Sequence, residues 1–334
     1  MQKGLVSIIT PCYNTGSIIH RLLDSVLTQS YPSIAMLVVD DGSTDNSKEV
    51  ICSYIPRFEE RGYSLEYHYQ QNSGQSVAIN NALKWVDGEY MVWPDSDDWY
   101  TSPEAISRMV EECSKSNRVG LVRCLNRQYD PDMNLLGEIK ISPELLEKEQ
   151  FDNCVLHKGD FYYVPGDYMV RMDVLDETIP GREIYTEKMA GQNGQLMFPV
   201  LYGRECITIP EYMYGVLVRP DSHCHGQDTY EKSAAVINGY INLIFATLDK
   251  IIGLPSADLK KYKDGVLKRY LPELFDLAVA AGEKQDAVAL RQRLEELDAF
   301  HINVVWTIRY HLCQYGWFQK VIKSFGKLGR AISN

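Results

Sequence analysis

An α/β fold, a mostly parallel sheet flanked by helices with a helical C-terminal appendage, is predicted by three observations. The first hundred residues alternate short apolar runs with stretches of helical spacing. Each apolar run stops at a cluster carrying Pro, Gly or Asp. From Tyr230 onward the apolar spacing is helical alone. Strand–helix–strand units of this length require right-handed crossovers, and so parallel neighbours.

Leu5–Thr10 is a β-branched apolar run suited to a strand covered on both faces, and it ends at Pro11. Ile18, Ile19, Leu22, Leu23, Val26 and Leu27 then recur at helical spacing, with Ser17 placed to cap the helix and Pro32 beyond its end. Ala35–Val39 reads as a second strand, stopping at Asp40-Asp41-Gly42-Ser43, and a helix follows through Val50, Ile51 and Tyr54. Leu65–Tyr69 alternates as a more exposed strand. A helix from about Ser76 to Trp85 leads to a fourth strand, Glu89–Trp93. Pro103 and Glu104 open a helix to about Ser114, and Val119–Cys124 is a further strand. Between Arg127 and Pro210 the pattern is aperiodic and rich in aromatic residues and turns, as substrate-facing loops often are. Ile237, Tyr240, Ile241, Ile244, Phe245 and Leu248 form one helical stripe. The chain thus divides into an α/β region, 1–228, and a helical region, 229–334.

The bulk properties narrow the class. A chain of 334 residues, 45% hydrophobic and 24% charged, accommodates one large α/β domain and an appendage. A net charge of −11 excludes general nucleic-acid binding, which needs a basic face to replace counterions. Residues 301–334 contain no Asp or Glu, while Arg309, Lys320, Lys323, Lys327 and Arg330 are interleaved with Trp306, Tyr310, Trp317, Phe318 and Phe325. Such a stretch can lie on an anionic bilayer. A helix packed on the domain, its basic face solvated, explains the same residues equally well. The eight cysteines form no CxxC pair, so reduced, mostly buried thiols are expected. The early first strand leaves no room for a signal peptide, and no apolar stretch approaches the ~20 residues of a membrane span. The expected location is cytoplasmic, peripheral to the inner membrane face at most.

In an open parallel sheet, ligands bind at the carboxyl ends of the strands. This nominates Pro11–Asn14, Asp40–Ser43 and Asp95–Asp98 as one site. Asp95, Asp97 and Asp98 repel one another unless a cation sits among them, and hard carboxylate oxygens select Mg²⁺ or Mn²⁺. A solvated acidic turn is the plain alternative, and the strand directly before the cluster argues against it. Asp45 or Thr44 is placed to cap the next helix, which leaves Asp41 free at the tip, where a carboxylate accepts the imide N–H of uracil. Tyr13 can stack on a base or serve as a core tyrosine, while Asn14 orders the turn. Asn72-Ser73-Gly74-Gln75, running on to Asn80, enters a helix and can offer amides to phosphate. It contains neither GxxxxGK nor GxGxxG.

Four strings share an order and spacing: Val6–Asn14, Val39–Asp45, Asn72-Ser73-Gly74 with Asn80, and Gly88-Glu89-Tyr90 leading into Asp95-Ser96-Asp97-Asp98. Together they resemble the inverting family-2 glycosyltransferases with the GT-A fold, over roughly the first 125 residues. The resemblance implies a UDP-type nucleotide-sugar donor, with Asp41 at the base, Pro11 and Tyr13 lining its pocket, and Asn14, Gly74, Asn80 and Ser96 near the nucleotide sugar. Asp97 and Asp98 would serve the ribose and the Mn²⁺ or Mg²⁺ ion, and Asp95 would be the first member of a DxD motif. The acceptor would be a glycan or a lipid-linked species in surface polysaccharide synthesis.

One departure stands out. The family usually carries a Glu-Asp pair whose acid acts as general base, and the counterpart here is Gly191-Gln192-Asn193-Gly194-Gln195. An amide cannot take a proton at neutral pH. Three explanations stay open. Glu183, Glu187 or Asp221 is the base; or Gln192 and Asn193 bind sugar while the base lies elsewhere; or the acceptor is a phosphate that needs none. Arg219–His225 lies where a polar segment would approach the donor phosphates, and His223 and His225 are expected to contact phosphate or solvent rather than a second metal. The rival class is a non-catalytic relative that binds a nucleotide sugar without turnover.

Overall fold

The structure, a computed structural model, describes residues 1–158, 161–162, 164–186, 191, 193–219 and 229–299. Its elements are, in chain order, β1 (Gln2–Cys12), α1 (His20–Leu27), β2 (Ile34–Asp40), α2 (Ser47–Arg61), β3 (Ser64–Tyr69), α3 (Gln75–Ala82), β4 (Gly88–Val92), β5 (Trp99–Tyr100) and α4 (Ala105–Ser114). There follow β6 (Val119–Tyr129), β7 (Leu135–Glu138), α5 (Phe151–Leu156), β8 (Tyr168–Arg171), α6 (Met172–Thr178), α7 (Asn193–Leu201) and β9 (Glu205–Leu217). Three helices complete the described chain: α8 (Tyr230–Lys250), α9 (Ser256–Ala281) and α10 (Lys284–Glu296).

One sheet runs β3-β2-β1-β4-β8-β6-β9-β5, with β7 paired to β6. β3, β2, β1 and β4 are mutually parallel, as the alternating pattern requires. In the rest of the sheet β8 enters antiparallel between β4 and β6, β9 lies parallel to β6, β5 pairs antiparallel with β9, and β7 pairs antiparallel with β6. Val6, Ile8, Ile9, Val38, Met91 and Val92 are all at most 1% exposed, so both faces of the parallel half are covered. Burying side chains of this size stabilises by roughly 1.5–3 kcal/mol each. α7 packs on β6 at Gly120, where a Cβ would collide with the Val200 carbonyl; only glycine allows that approach.

Two differences from the sequence expectation bear on the site. β1 continues through Pro11 to Cys12, with Pro11 opposite Val39, because proline removes one N–H while the Cys12 carbonyl still accepts from Asp41 N–H at 2.8 Å. Ser17 does not cap α1. Thr15 N–H and Gly16 N–H are tied to Ser47 Oγ and the Asp45 carboxylate, which holds the chain in a turn until His20.

By contacts the chain falls into two compact units, one comprising Met1–Cys224 with Leu243–Leu254, the other His225–Asn242 with Pro255–Asn334. In the second, α9 and α10 bury Val266, Leu271, Leu274, Phe275, Ala278, Ala287 and Leu294, and α9 ends at Gly282 with φ +81°. The described cysteines, 12, 52, 113, 124, 154 and 206, are free thiols, and all but Cys52 are buried. Among the described residues no helix is long and apolar enough to cross a membrane. The basic tail, 301–334, lies outside the described residues.

Candidate active site

The carboxyl edge of the parallel strands is stitched together loop by loop. After β1, the Asn14 side chain accepts from Thr44 N–H at 2.8 Å, and Asn14 N–H donates to Ser43 Oγ at 2.8 Å. Asn14 takes φ +53°, a conformation asparagine tolerates because its short polar side chain bonds locally. The expectation that Asn14 orders this turn is met. Asp45 accepts from Ser47 N–H and Ser47 Oγ at the start of α2 and from Gly16 N–H. Burial pushes the Asp45 carboxyl up, but these hydrogen bonds to the charged form outweigh it and hold the group below its ordinary range.

Asp41 is not free at the tip. It is 5% exposed, and its carboxylate accepts from Gln70 Nε2 at 2.8 Å, Ser73 N–H at 2.8 Å and Gly74 N–H at 2.9 Å. Sequence neighbours alone could not reveal this, because the donors come from the loop after β3. Two glycines shape that junction. Gly42 adopts φ +84° against Asn72, where a Cβ would meet the Asn72 amide nitrogen at 2.8 Å, and Gly74 adopts φ +98°.

The stitching continues outward. Gln75 Nε2 donates to Asp95 Oδ1 at 2.7 Å, joining the start of α3 to the acidic cluster. Burial, and then repulsion from Asp97, push the Asp95 carboxyl up to about 7, against the Gln75 hydrogen bond. Asp98, 3% exposed, accepts from Leu217 N–H at 2.9 Å, and burial together with Asp97 and Asp95 holds its carboxyl well above the ordinary range. Asp97 pairs with Arg219 at 2.9 Å. Ser96 is buried. The end of β9 is therefore fastened to the cluster at two points.

The edge thus brings together Asn14, Asp41, Gly74, Asp95, Asp97 and Asp98. Tyr13 stands 44% exposed beside them, able to present a ring face, while Pro11 is buried in β1. Asn80 Oδ1 is engaged by Ile184 N–H at 2.9 Å and anchors the segment that precedes α7. Asn193 opens α7, and its Oδ1 accepts from the Trp93 indole at 2.8 Å. Gln195, in the first turn of α7, is committed to the segment that leads into the helix, accepting from Tyr185 N–H and donating to the Tyr185 and Gly191 carbonyls. Gln192, Glu187 and Asp221, with His223 and His225, lie outside the described residues, and Glu183 is exposed. Sequence reading missed Gln70, Trp93 and Leu217 as site residues, and it placed Gln75 in the glycine-containing loop without its bond to Asp95.

Among the described residues no group of three or more acids, histidines or cysteines is arranged as a ready metal cage. The donor set nevertheless fits a hard divalent ion held through one or two carboxylates plus substrate phosphates. Burial, with the negative charge of Asp97 beside them, raises the Asp95 and Asp98 carboxyls, and this is the strain a cation relieves. A cleft of about 370 Å³ lined by Asp40, Ser43, Thr44, Asp45, Lys48, Glu49, Tyr67 and Tyr69 shares Ser43, Thr44 and Asp45 with the stitched loops. Asp40 is already bonded there to Ser43 N–H and the Tyr67 hydroxyl.

Comparison with known proteins accords with this geometry. TuaG of Bacillus subtilis, a putative teichuronic acid biosynthesis glycosyltransferase, is 42% identical over 96 residues, 29% of this chain and 37% of that protein. The fold is similar to that of S. aureus TarS 1-349 in complex with UDP-GlcNAc, with a TM-score of 0.60 and 15% identity, covering 95% of this chain and 92% of that one. It is also similar to the mannosyltransferase PcManGT from Pyrobaculum calidifontis in complex with GDP-Man and Mn²⁺, with a TM-score of 0.53 and 17% identity, covering 97% and 84%. At such identities the likeness is one of fold, and the fold is GT-A. The matched stretch spans about half or less of the length of the curated relatives. The model of "Glycosyl transferase family 2" matches residues 7–178, over half of the chain, and the chain belongs to that family.

Proposed function

We propose that this chain transfers a hexose or N-acetylhexosamine from a nucleotide sugar, UDP-linked, to a glycan or lipid-linked acceptor in surface polysaccharide synthesis, with inversion and with help from Mn²⁺ or Mg²⁺. The observation that supports it most is the convergence of Asp41, Asp95, Asp97 and Asp98 along one stitched sheet edge. The TarS and PcManGT structures, solved with UDP-GlcNAc and with GDP-Man and Mn²⁺, support a nucleotide-sugar donor in this fold. In this reading Tyr13 stacks on the base. Asp41 holds the Ser73–Gly74 turn and keeps acceptor capacity for the uracil imide. Asp97 and Asp98, with Asp95, would hold the divalent ion, whose charge would offset that of the diphosphate.

Transfer is a single in-line displacement. The acceptor oxygen forms a bond to the anomeric carbon as the bond from that carbon to the diphosphate oxygen breaks. The electron pair leaves with the nucleoside diphosphate, and the acceptor proton passes to a base, for which Glu187 and Asp221 are the candidates. The amide at 193 also suits a non-catalytic binder. Turnover separates the two, since only an enzyme releases nucleoside diphosphate. The test is a thermal-shift screen of UDP-, GDP- and dTDP-sugars with Mn²⁺, because a ligand at about 100 Kd stabilises by about 2.7 kcal/mol. One donor class should raise the Tm, and Asp97→Ala should abolish both that shift and nucleotide release. If no donor shifts the Tm, or the variant retains wild-type turnover, the proposal is wrong.

A further inference from the structure

Trp93 follows β4 directly, is fully buried, and leads through Pro94 into Asp95. Its indole has one polar atom, an N–H that can only donate. That N–H bonds Asn193 Oδ1 at 2.8 Å, across a sequence separation of 100 residues. The orientation of the Asn193 amide therefore does not depend on telling its oxygen from its nitrogen by shape. The oxygen must face the indole, and the NH₂ is the end left over. Among the described residues, none accepts a hydrogen bond from Asn193 Nδ2, and the side chain is half-buried. Gln195, two residues on, behaves differently, with both ends of its amide committed to Tyr185 and Gly191.

We infer that Asn193 binds substrate as a hydrogen-bond donor to a sugar hydroxyl oxygen, and that Trp93 is the positioning residue that turns its NH₂ outward. This rests on the glycosyltransferase reading of the site. The proton of the acceptor is then taken by another group, because a neutral amide takes no proton at neutral pH and its nitrogen has no acceptor capacity. An aspartate at the same position would keep the Trp93 bond through one oxygen and present the other where the NH₂ now stands. One substitution thus exchanges donor for acceptor on an unchanged scaffold.

The test uses the full chain and the nucleotide sugar that the wild type turns over, with release of nucleoside diphosphate followed between about pH 5 and 9. Asn193→Ala and Asn193→Asp should each lose about tenfold in kcat/KM, the worth of one substrate hydrogen bond. Asn193→Asp should show no gain at any pH. Trp93→Phe should show a loss of similar size, and no further loss when added to Asn193→Ala. The hydroxyl belongs to the donor if the variants bind nucleotide sugar more weakly but the free nucleotide equally well. It belongs to the acceptor if only the KM for the glycan rises. Asn193→Asp working at or above the wild-type rate, with an ascending limb in the carboxylate range, makes position 193 a base site and overturns the inference. So does a wild-type Asn193→Ala, or additive losses from Trp93→Phe and Asn193→Ala. The two Asn193 variants decide the matter even where Trp93→Phe does not fold. A wild-type protein that binds no nucleotide sugar defeats the function itself, whereas normal wild-type turnover with the variant results just named defeats this inference alone.

Discussion

Replacing Asp41 by alanine removes the acceptor for three hydrogen bonds at once: from Gln70 Nε2, Ser73 N–H and Gly74 N–H. Each orphaned donor costs about 1–3 kcal/mol when it stays buried. Ser73 is exposed and Gln70 and Gly74 are half-buried, so water recovers part of the loss and the low end applies. About 3 kcal/mol in all is expected, of which the loop can release much by opening locally rather than with the whole domain. The sensitive readout is amide hydrogen exchange. At 1.4 kcal/mol per tenfold, exchange at Ser73 and Gly74 should speed up by about 100-fold. The Tm should fall by no more than about 6–12 °C, the figure for a fully cooperative loss. Asp41→Asn, which keeps one acceptor oxygen, should fall between the two proteins. Both variants should bind UDP more weakly, since the turn beside the base is then unpinned. Unchanged exchange at Ser73 and Gly74 in Asp41→Ala would refute the claim that this carboxylate organises the loop.

Two further outcomes follow from the buried charges. Arg219→Ala removes the cation that pairs with Asp97, and should tighten Mn²⁺ binding to the nucleotide-free protein by up to about fivefold, given ~1 kcal/mol for a partly exposed pair; equal Mn²⁺ affinity by calorimetry contradicts this. Asp167, fully buried and bonded to Asn126 Nδ2, has its carboxyl raised well above the ordinary range, by burial first, against the Asn126 hydrogen bond and Arg123. Its stabilising contribution is complete below the ordinary carboxylate pKa and is lost as pH rises toward the folded value, so Asp167→Asn should flatten the decline of Tm from pH 5 to 8; an unchanged slope rejects the assignment.

The parallel half of the fold was legible because its signals are local. Val6, Ile8, Val38 and Val92 sit in runs whose period and flanking polar residues lie within ten positions of one another. β9 was harder to see. Pro210 falls inside it, and the pairing with β6 accommodates the proline by shifting register between Ile209 and Tyr212, a bulge that no periodicity betrays. The acidic residues of the site announced themselves through strand ends. The pairings did not, because Gln75, Leu217 and Arg219 are brought to the acids from 20 to more than 100 positions away, although Gln75 and Arg219 each stand in a segment the sequence marks. Trp93 read as the last apolar residue of a strand, and only the fold gives its N–H a purpose.

Those long-range partners also explain how three aspartates share one turn. Asp95, Asp97 and Asp98 are each held by a different neighbour: an amide, a guanidinium and a backbone N–H. A carboxylate offers about four acceptor positions. One hydrogen bond on Asp95 and one on Asp98 therefore fix their orientation and still leave oxygens for a ligand. Asp97 is different, because its partner is a full positive charge, and a second cation at the same oxygens competes with the first. Any divalent ion held by Asp97 must weaken the Arg219 pair, while Asp98 and Leu217 N–H can stay in place. The exchange is therefore confined to the end of β9 beyond Leu217, and a guanidinium released there is a charge-assisted donor suited to phosphate oxygens.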